Sequence, residues 1–204
     1  MITRPKLTYF DFSGSRGEEC RLALHLAGVA FDDNRIKGSD WPALQDSTPF
    51  GSLPVLELPG RPPLAQSNAI LCLIGRGHGL HPADNFEAAR HEAVMAHVED
   101  LRHKVSPTIR MPDDEKRRVR EELAASWLPK WAARAEQAIT GDGPFFGGAE
   151  VNVVDLKLYM AVRWFAGGAV DHVPANIFAP YARLMRVHDA VAAHPGVRAW
   201  YART

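Results

Sequence analysis

The chain has 204 residues, 46% hydrophobic and 24% charged, a balance that excludes disorder over most of its length and leaves ample material for a buried core. Lys plus Arg and Asp plus Glu each total 24, so the net charge is zero and the basic excess of a nucleic-acid binder is absent. No apolar run reaches membrane-spanning length and no signal-like core follows Met1, while Cys20 and Cys72 have neither metal nor C-x-x-C spacing; the expectation is a cytoplasmic protein with free thiols, no metal, and neither nucleic acid nor membrane as a partner.

Lys6-Leu7-Thr8-Tyr9-Phe10 is β-prone and is followed by the loop Ser13-Gly14-Ser15-Arg16. From Glu18 to Gly28 the apolar residues Cys20, Leu22, Ala23, Leu26 and Ala27 take helical spacing, and Gly28 suits the left-handed position that closes a helix. Phe31 to Ile36 reads as a second strand, and strand-helix-strand implies a parallel pair. After a polar stretch from Lys37 to Gly51, Leu53 to Leu58 reads as a third strand and Pro63-Leu64-Ala65 as a short return strand. Ser67 is a natural N-cap for a helix over Asn68 to Gly75. The glycine-rich stretch from Gly75 to Pro82 marks a linker, dividing residues 1–80 from 84–204.

Beyond the linker the pattern is helical throughout. Phe86 to Arg110 forms one long helix through Val94, Val98, Leu101 and Val105. Asp113 to Ile139 forms a second, bent at Pro129, and its basic run Lys116-Arg117-Arg118 is flanked by acids and reads as a solvated face. Asn152 to Phe165 forms a third, opened by the capping box Asn152-Val153-Val154-Asp155. Pro180 to His194 and a short final helix from His194 complete the chain. The nine histidines are scattered, and none joins a recognisable metal-ligand set.

A β-α-β, β-β-α order is that of a thioredoxin-like unit. Disulfide exchange in such a unit requires cysteines in the loop after the first strand, and Ser13-Gly14-Ser15-Arg16 contains none, so any thiol must come from outside. The stretches Lys6-Leu7-Thr8-Tyr9-Phe10, Asp40-Trp41-Pro42, Pro49-Phe50-Gly51-Ser52-Leu53-Pro54-Val55-Leu56-Glu57 and Gln66-Ser67 resemble, in order and nearly in spacing, those of the cytosolic glutathione transferases, most closely the sigma class. The resemblance implies a thioredoxin-like glutathione-binding domain (1–80) and an all-helical domain carrying the electrophile-side pocket (84–204). It also implies glutathione as co-substrate, an electrophilic small molecule as second substrate, and a homodimer.

By the same resemblance Tyr9 is the catalytic tyrosine. A free thiol titrates near about 8.5, and a phenol donating to the sulfur favours the thiolate. Arg16, a cation that opposes the dipole of the helix it opens, stands near the sulfur in this reading. The loop is one residue longer than usual, which leaves Ser13 or Ser15 as alternative thiolate donors. Leu53 and Pro54 resemble the family's cis-proline turn, which offers backbone groups to the cysteinyl residue; Gln66 and Ser67 at a helix N-terminus suit the γ-glutamyl carboxylate. Trp41 and Gln45 are placed at the glycyl end, beside Gly51 and Ser52, with Gln45 standing where the family often has lysine. Phe12, Arg102, His103, Ser106 and Arg110 are candidates for the electrophile side, and Glu99 or Asp100 for an acid that reaches the partner subunit's γ-glutamyl amine. Conjugation and detoxification is the function these residues imply. Its alternatives are a glutathione-dependent isomerase or peroxidase on the same fold, or a non-catalytic glutathione-binding or regulatory module.

Overall fold

The computed structural model describes residues 3–203. β1 (Lys6–Phe10) lies at the centre of a four-stranded sheet of order β2-β1-β3-β4. It pairs parallel with β2 (Asp32–Ile36), Lys6 facing Asp32 and Phe10 facing Ile36, and antiparallel with β3 (Val55–Glu57). β3 pairs antiparallel with β4 (Leu64–Ala65). A parallel pair needs a crossover, and α1 (Ser15–Leu26) provides it. This helix begins three residues before the expected Glu18, and Gly28 (φ 67) follows its cap in the left-handed conformation anticipated for it.

Between β2 and β3 the backbone turns repeatedly: a 3-10 turn at Gly38–Asp40, the single-turn α2 (Trp41–Leu44), and 3-10 turns at Gln45–Ser47 and Pro49–Gly51, none with a buried residue. The Leu53-Pro54 peptide is cis. α3 (Ser67–His78) corrects two sequence readings. Ser67 is its first helical residue, not its N-cap; Gln66 occupies the cap position with φ 72. The helix also runs past Gly75 and stops only at left-handed Gly79. A Cβ on Gly75 would lie 2.9 Å from His81 Cβ and 3.0 Å from the Leu80 oxygen, so this glycine permits close packing instead of ending the helix.

α4 (Asn85–Val105) is capped by Asp84, whose carboxylate accepts from the Phe86 and Glu87 N–H groups, and it buries Val94, Val98, Leu101 and Val105. It does not reach Arg110: Ser106–Arg110 tightens into a 3-10 turn, where Pro107 can donate no backbone hydrogen. The single helix expected over 113–139 is α5 (Asp113–Glu122), a π-helical turn (Leu123–Trp127) and α6 (Leu128–Ala138). Pro129 cannot donate to the carbonyl one turn earlier, and the wider turn that precedes it absorbs the mismatch. α7 (Val153–Ala166) is almost wholly buried and packs on α4 and on α8 (Ala182–Ala193), which begins two residues later than expected; α6 packs on the same two helices. α9 (Pro195–Tyr201) follows.

The thioredoxin-like α/β unit followed by helices is therefore the observed architecture. One compact unit takes the chain as far as Ala83 together with the stretch from His194 onward; the other is Asp84–Ala193. α9 packs on α1 within the first unit: Trp200 Nε1 donates to Glu18 Oε1 at 2.7 Å, and the His25 ring nitrogen Nε2 lies 3.0 Å from the Gly196 oxygen. Among the described residues no helix is long and apolar enough to cross a membrane.

Candidate functional site

The ladder register aligns the first group of candidate residues. Thr8 faces Val55 and Val55 faces Ala65. Tyr9 comes next on β1, Pro54 directly precedes β3 and Gln66 directly follows β4, so the three adjoin facing positions of neighbouring strands. Neighbouring strands lie about 4.8 Å apart, so three of them span roughly 10 Å, the scale of a short peptide.

Tyr9 is 6% exposed. Its ring meets Phe10 edge-on at 5.4 Å and Phe12 at 5.6 Å, and the Arg21 guanidinium carbon stands 5.8 Å from its centroid. The ring lies directly against the backbone of Gly17, where an added Cβ would fall 2.0 Å from Tyr9 Cδ1. Phe12 is 46% exposed. Ser13 is exposed, whereas Ser15 (φ 57) and Arg16 are half-buried as the first two residues of α1. A left-handed serine at the start of a helix is the local mark of the longer loop.

Trp41 packs edge-on against Phe10 at 6.0 Å. Gln45 Nε2 donates to the Gly51 oxygen at 3.3 Å across the turn that Phe50 (φ 58) and Gly51 (φ 56) make possible. Beneath this segment is a cavity of about 210 Å³, lined by Thr8, Asn34, Trp41, Thr48, Leu53 and Val55 among others. Ser52 and Leu53 are half-buried and Pro54 is buried. Gln66 is exposed, whereas Ser67 is 4% exposed and heads α3, whose first-turn N–H groups and dipole favour an anion.

In the helical unit the candidates separate. Arg102 is 3% exposed and donates from Nη1 to Glu99 at 2.9 Å. The fully buried Lys157 donates to the same Glu99 oxygen at 2.6 Å. Glu99, expected to reach a partner, is thus held by two cations of its own unit, as burial of those cations demands. Asp100 is exposed, 3.9 Å from the His97 ring. His103 is exposed on α4, while half-buried Ser106 and exposed Arg110 lie in the 3-10 turn beyond it and not on the helix.

Sequence reading missed two groups. Arg21 and Glu18, both fully buried on α1, brace the loop beside Tyr9. Their spacing of three residues, with opposite charges, was the available signal. Asp113, Asp171 and His172 bring three metal-capable atoms within 4.8 Å of one another, although Asp113 is remote from the other two in sequence. His172 Nε2 lies 3.1 Å from Asp113 Oδ1 and holds that carboxyl below its usual range, while Lys116, Arg117 and Arg120 already pair with the two aspartates.

Residues 5–76 match the family model described as glutathione S-transferase, N-terminal domain, and residues 99–204 the one described as glutathione S-transferase, C-terminal domain. The chain is 33% identical over 202 residues to glutathione S-transferase 1 of Ascaris suum, covering 97% of this chain and 95% of that one. It is 30% identical over 195 residues to hematopoietic prostaglandin D synthase of Gallus gallus, covering 96% and 94%. Among solved structures, prostaglandin synthase D of Nilaparvata lugens superposes with a TM-score of 0.86 at 27% identity, over 98% of each chain.

Proposed function

Because this chain belongs to the glutathione S-transferase family, whose N- and C-terminal domain models it matches, we propose that Tyr9 is the group that activates glutathione in it. The protein is a glutathione transferase. The observation that carries the assignment is that Tyr9 follows the last paired residue of β1 facing β3, while Pro54 directly precedes β3 and Gln66 directly follows β4, its neighbours in the same sheet. A γ-glutamyl-cysteinyl-glycine laid along this edge meets different chemistry at each end. The N-terminus of α3, with Gln66 and Ser67, takes the γ-glutamyl carboxylate. The Leu53 backbone pairs with the cysteinyl residue as an added strand would. Trp41 and Gln45, with Gly51 and Ser52, meet the glycyl end.

Only a few per cent of free thiol is ionised at neutral pH. The Tyr9 phenol keeps its own proton and donates that O–H to the sulfur, which stabilises the thiolate; the thiol proton passes to water. Arg16 adds positive charge nearby. The sulfur lone pair then forms a carbon–sulfur bond with the electrophile. In substitution a leaving group departs with the displaced electron pair; in addition the neighbouring atom takes a proton from water. Phe12, exposed beside Tyr9, supplies an apolar surface for the electrophile. None of these steps calls on a metal, and we place the enzyme in the cytoplasm as a homodimer.

The test is thiolate absorbance of bound glutathione across pH, in wild type and Tyr9→Phe. The expected result is a bound thiol that ionises well below the free value of about 8.5 in wild type and returns toward it in Tyr9→Phe. A low value unmoved by Tyr9→Phe transfers the role to Ser13, Ser15 or Arg16. The relative that is a prostaglandin D synthase supports a second reading, a glutathione-dependent isomerase. Stoichiometry separates the two: conjugation consumes one glutathione per product, whereas isomerisation returns it.

A further inference from the structure

α1 buries charged side chains completely, Glu18 and Arg21 among them. A buried ion costs several kcal/mol unless its partners are well placed, so the partners are informative. Arg21 spreads its donors over four oxygens. Nε donates to Asp33 Oδ1 at 2.9 Å, Nη1 to the Phe12 carbonyl at 2.9 Å and to Glu18 Oε2 at 3.2 Å, and Nη2 to the Phe10 carbonyl at 3.1 Å. The two carbonyls belong to the backbone that leaves Tyr9. Gly17, one helical turn before Arg21, is the residue on which the Tyr9 ring rests. One face of α1 therefore sets both the ring and the chain that carries it.

Glu18 is itself divided. Its Oε2 receives Arg21, and its Oε1 receives Trp200 Nε1 at 2.7 Å. The Trp200 ring is held by Phe31 (6.2 Å, 21° between planes), by His25 (5.4 Å), and by Arg203 above it (5.3 Å). Asp33 is shared in the same way, its Oδ2 accepting from Arg35 Nε at 2.7 Å, and Arg35 also reaches Asp11 at 3.3 Å. Arg21 thus meets carboxylate charge without Trp200, and what the indole adds is an anchor: it fixes the Glu18 carboxylate that orients the guanidinium.

We propose that Trp200 is a positioning residue for Tyr9, acting from α9 through Glu18 and Arg21 on the Phe10 and Phe12 carbonyls. The proposal rests on the reading of Tyr9 as the thiolate donor. A displacement of about 1 Å at a catalytic group is enough to lower rate severely, so a bond this far from the sulfur has a kinetic consequence.

Trp200→Phe retains an aromatic ring for the stack and removes only the N–H. The measurements are bound-thiol titration and kcat and KM for glutathione, in wild type, Trp200→Phe, Tyr9→Phe and the double variant. The expected result is a thiol titration displaced upward by about 0.5 pH, a kcat at neutral pH lowered about threefold, and KM changed by less than about twofold. In the Tyr9→Phe background the same change has no further effect. Arg21→Lys gives a larger loss of the same kind, because a lysine ammonium cannot span both carbonyls and both carboxylates. Equal losses in both backgrounds, or a loss confined to KM, overturn the proposal and leave Trp200 a structural residue. If Tyr9→Phe moves the thiol titration and Trp200→Phe does not, this proposal alone fails. If Tyr9→Phe leaves the titration where it was, the assignment of Tyr9 fails first and this proposal with it.

Discussion

Gly17 is where one missing carbon matters most. A methyl group there would fall 2.0 Å from Tyr9 Cδ1, 2.2 Å from Cγ and 2.7 Å from Cβ, an overlap no rotation of the ring about its axis relieves. Gly17→Ala is expected to cost about 1–3 kcal/mol in urea unfolding through overpacking, and to lower kcat by more than that stability loss would suggest, because the ring is displaced. Gln45 presents the opposite case, an exposed side chain whose charge can be changed cheaply. Gln45→Lys, placing a cation near the proposed glycyl carboxylate, is expected to lower KM for glutathione about two- to fivefold with kcat unchanged, and less so in high salt. At this scale the sequence disclosed the residues that sit in recognisable runs: Tyr9 closing a β-prone stretch, Leu53-Pro54, Gln66-Ser67. It concealed Glu18 and Arg21, because charge on a helix ordinarily means a solvated face and only the fold reveals that α1 is enclosed on several sides by the sheet, α3 and α9.

Elements were legible where hydrophobic spacing was strong and less so at their ends, where a few local contacts decide. Serine is a good cap by propensity, yet Gln66 takes the cap position of α3 in a left-handed conformation, and Ser67 begins the helix. The capping box of α7 was read correctly, and it has a titration attached. Asp155 is fully buried, with Oδ2 accepting from Asn152 N–H and Oδ1 from Phe146 N–H, each at 2.7 Å. Burial pushes its carboxyl up to about 7, against the opposing pull of those backbone donors. A folded value above the ordinary carboxylate value of about 3.9 means that the native state retains a proton which the unfolded chain has released. The associated stability is present in full below about pH 4 and is lost as pH rises through about 7. Urea unfolding at pH 5 and pH 8 should show the higher midpoint at pH 5, and Asp155→Asn should flatten the difference. An unchanged slope in Asp155→Asn would assign the pH dependence to other groups.

For the molecule as a whole, the order of an α/β unit followed by helices could be read from composition and periodicity alone, and the resemblance extended that reading to function. The return of α9 to the first unit could not, since its partner Glu18 is 182 positions away and an amphipathic turn of helix carries no address. The proposed homodimer finds support in Phe50. It is 80% exposed and held at φ 58, a conformation that a bulky residue adopts only when something repays the strain. Phe50→Ser is expected to shift the protein toward monomer at micromolar concentration in sedimentation velocity, without loss of secondary structure by circular dichroism. A dimer of unchanged affinity would remove Phe50 from the interface.

The closure of the first unit by residues from His194 onward has a consequence for biosynthesis. A ribosome delivers β1, α1 and the strands early, then all of Asp84–Ala193, and only afterwards Gly196 and Trp200. Until that moment His25 and Glu18 lack their α9 partners. The unit that is translated first is therefore also the unit that is completed last, once translation has passed Trp200.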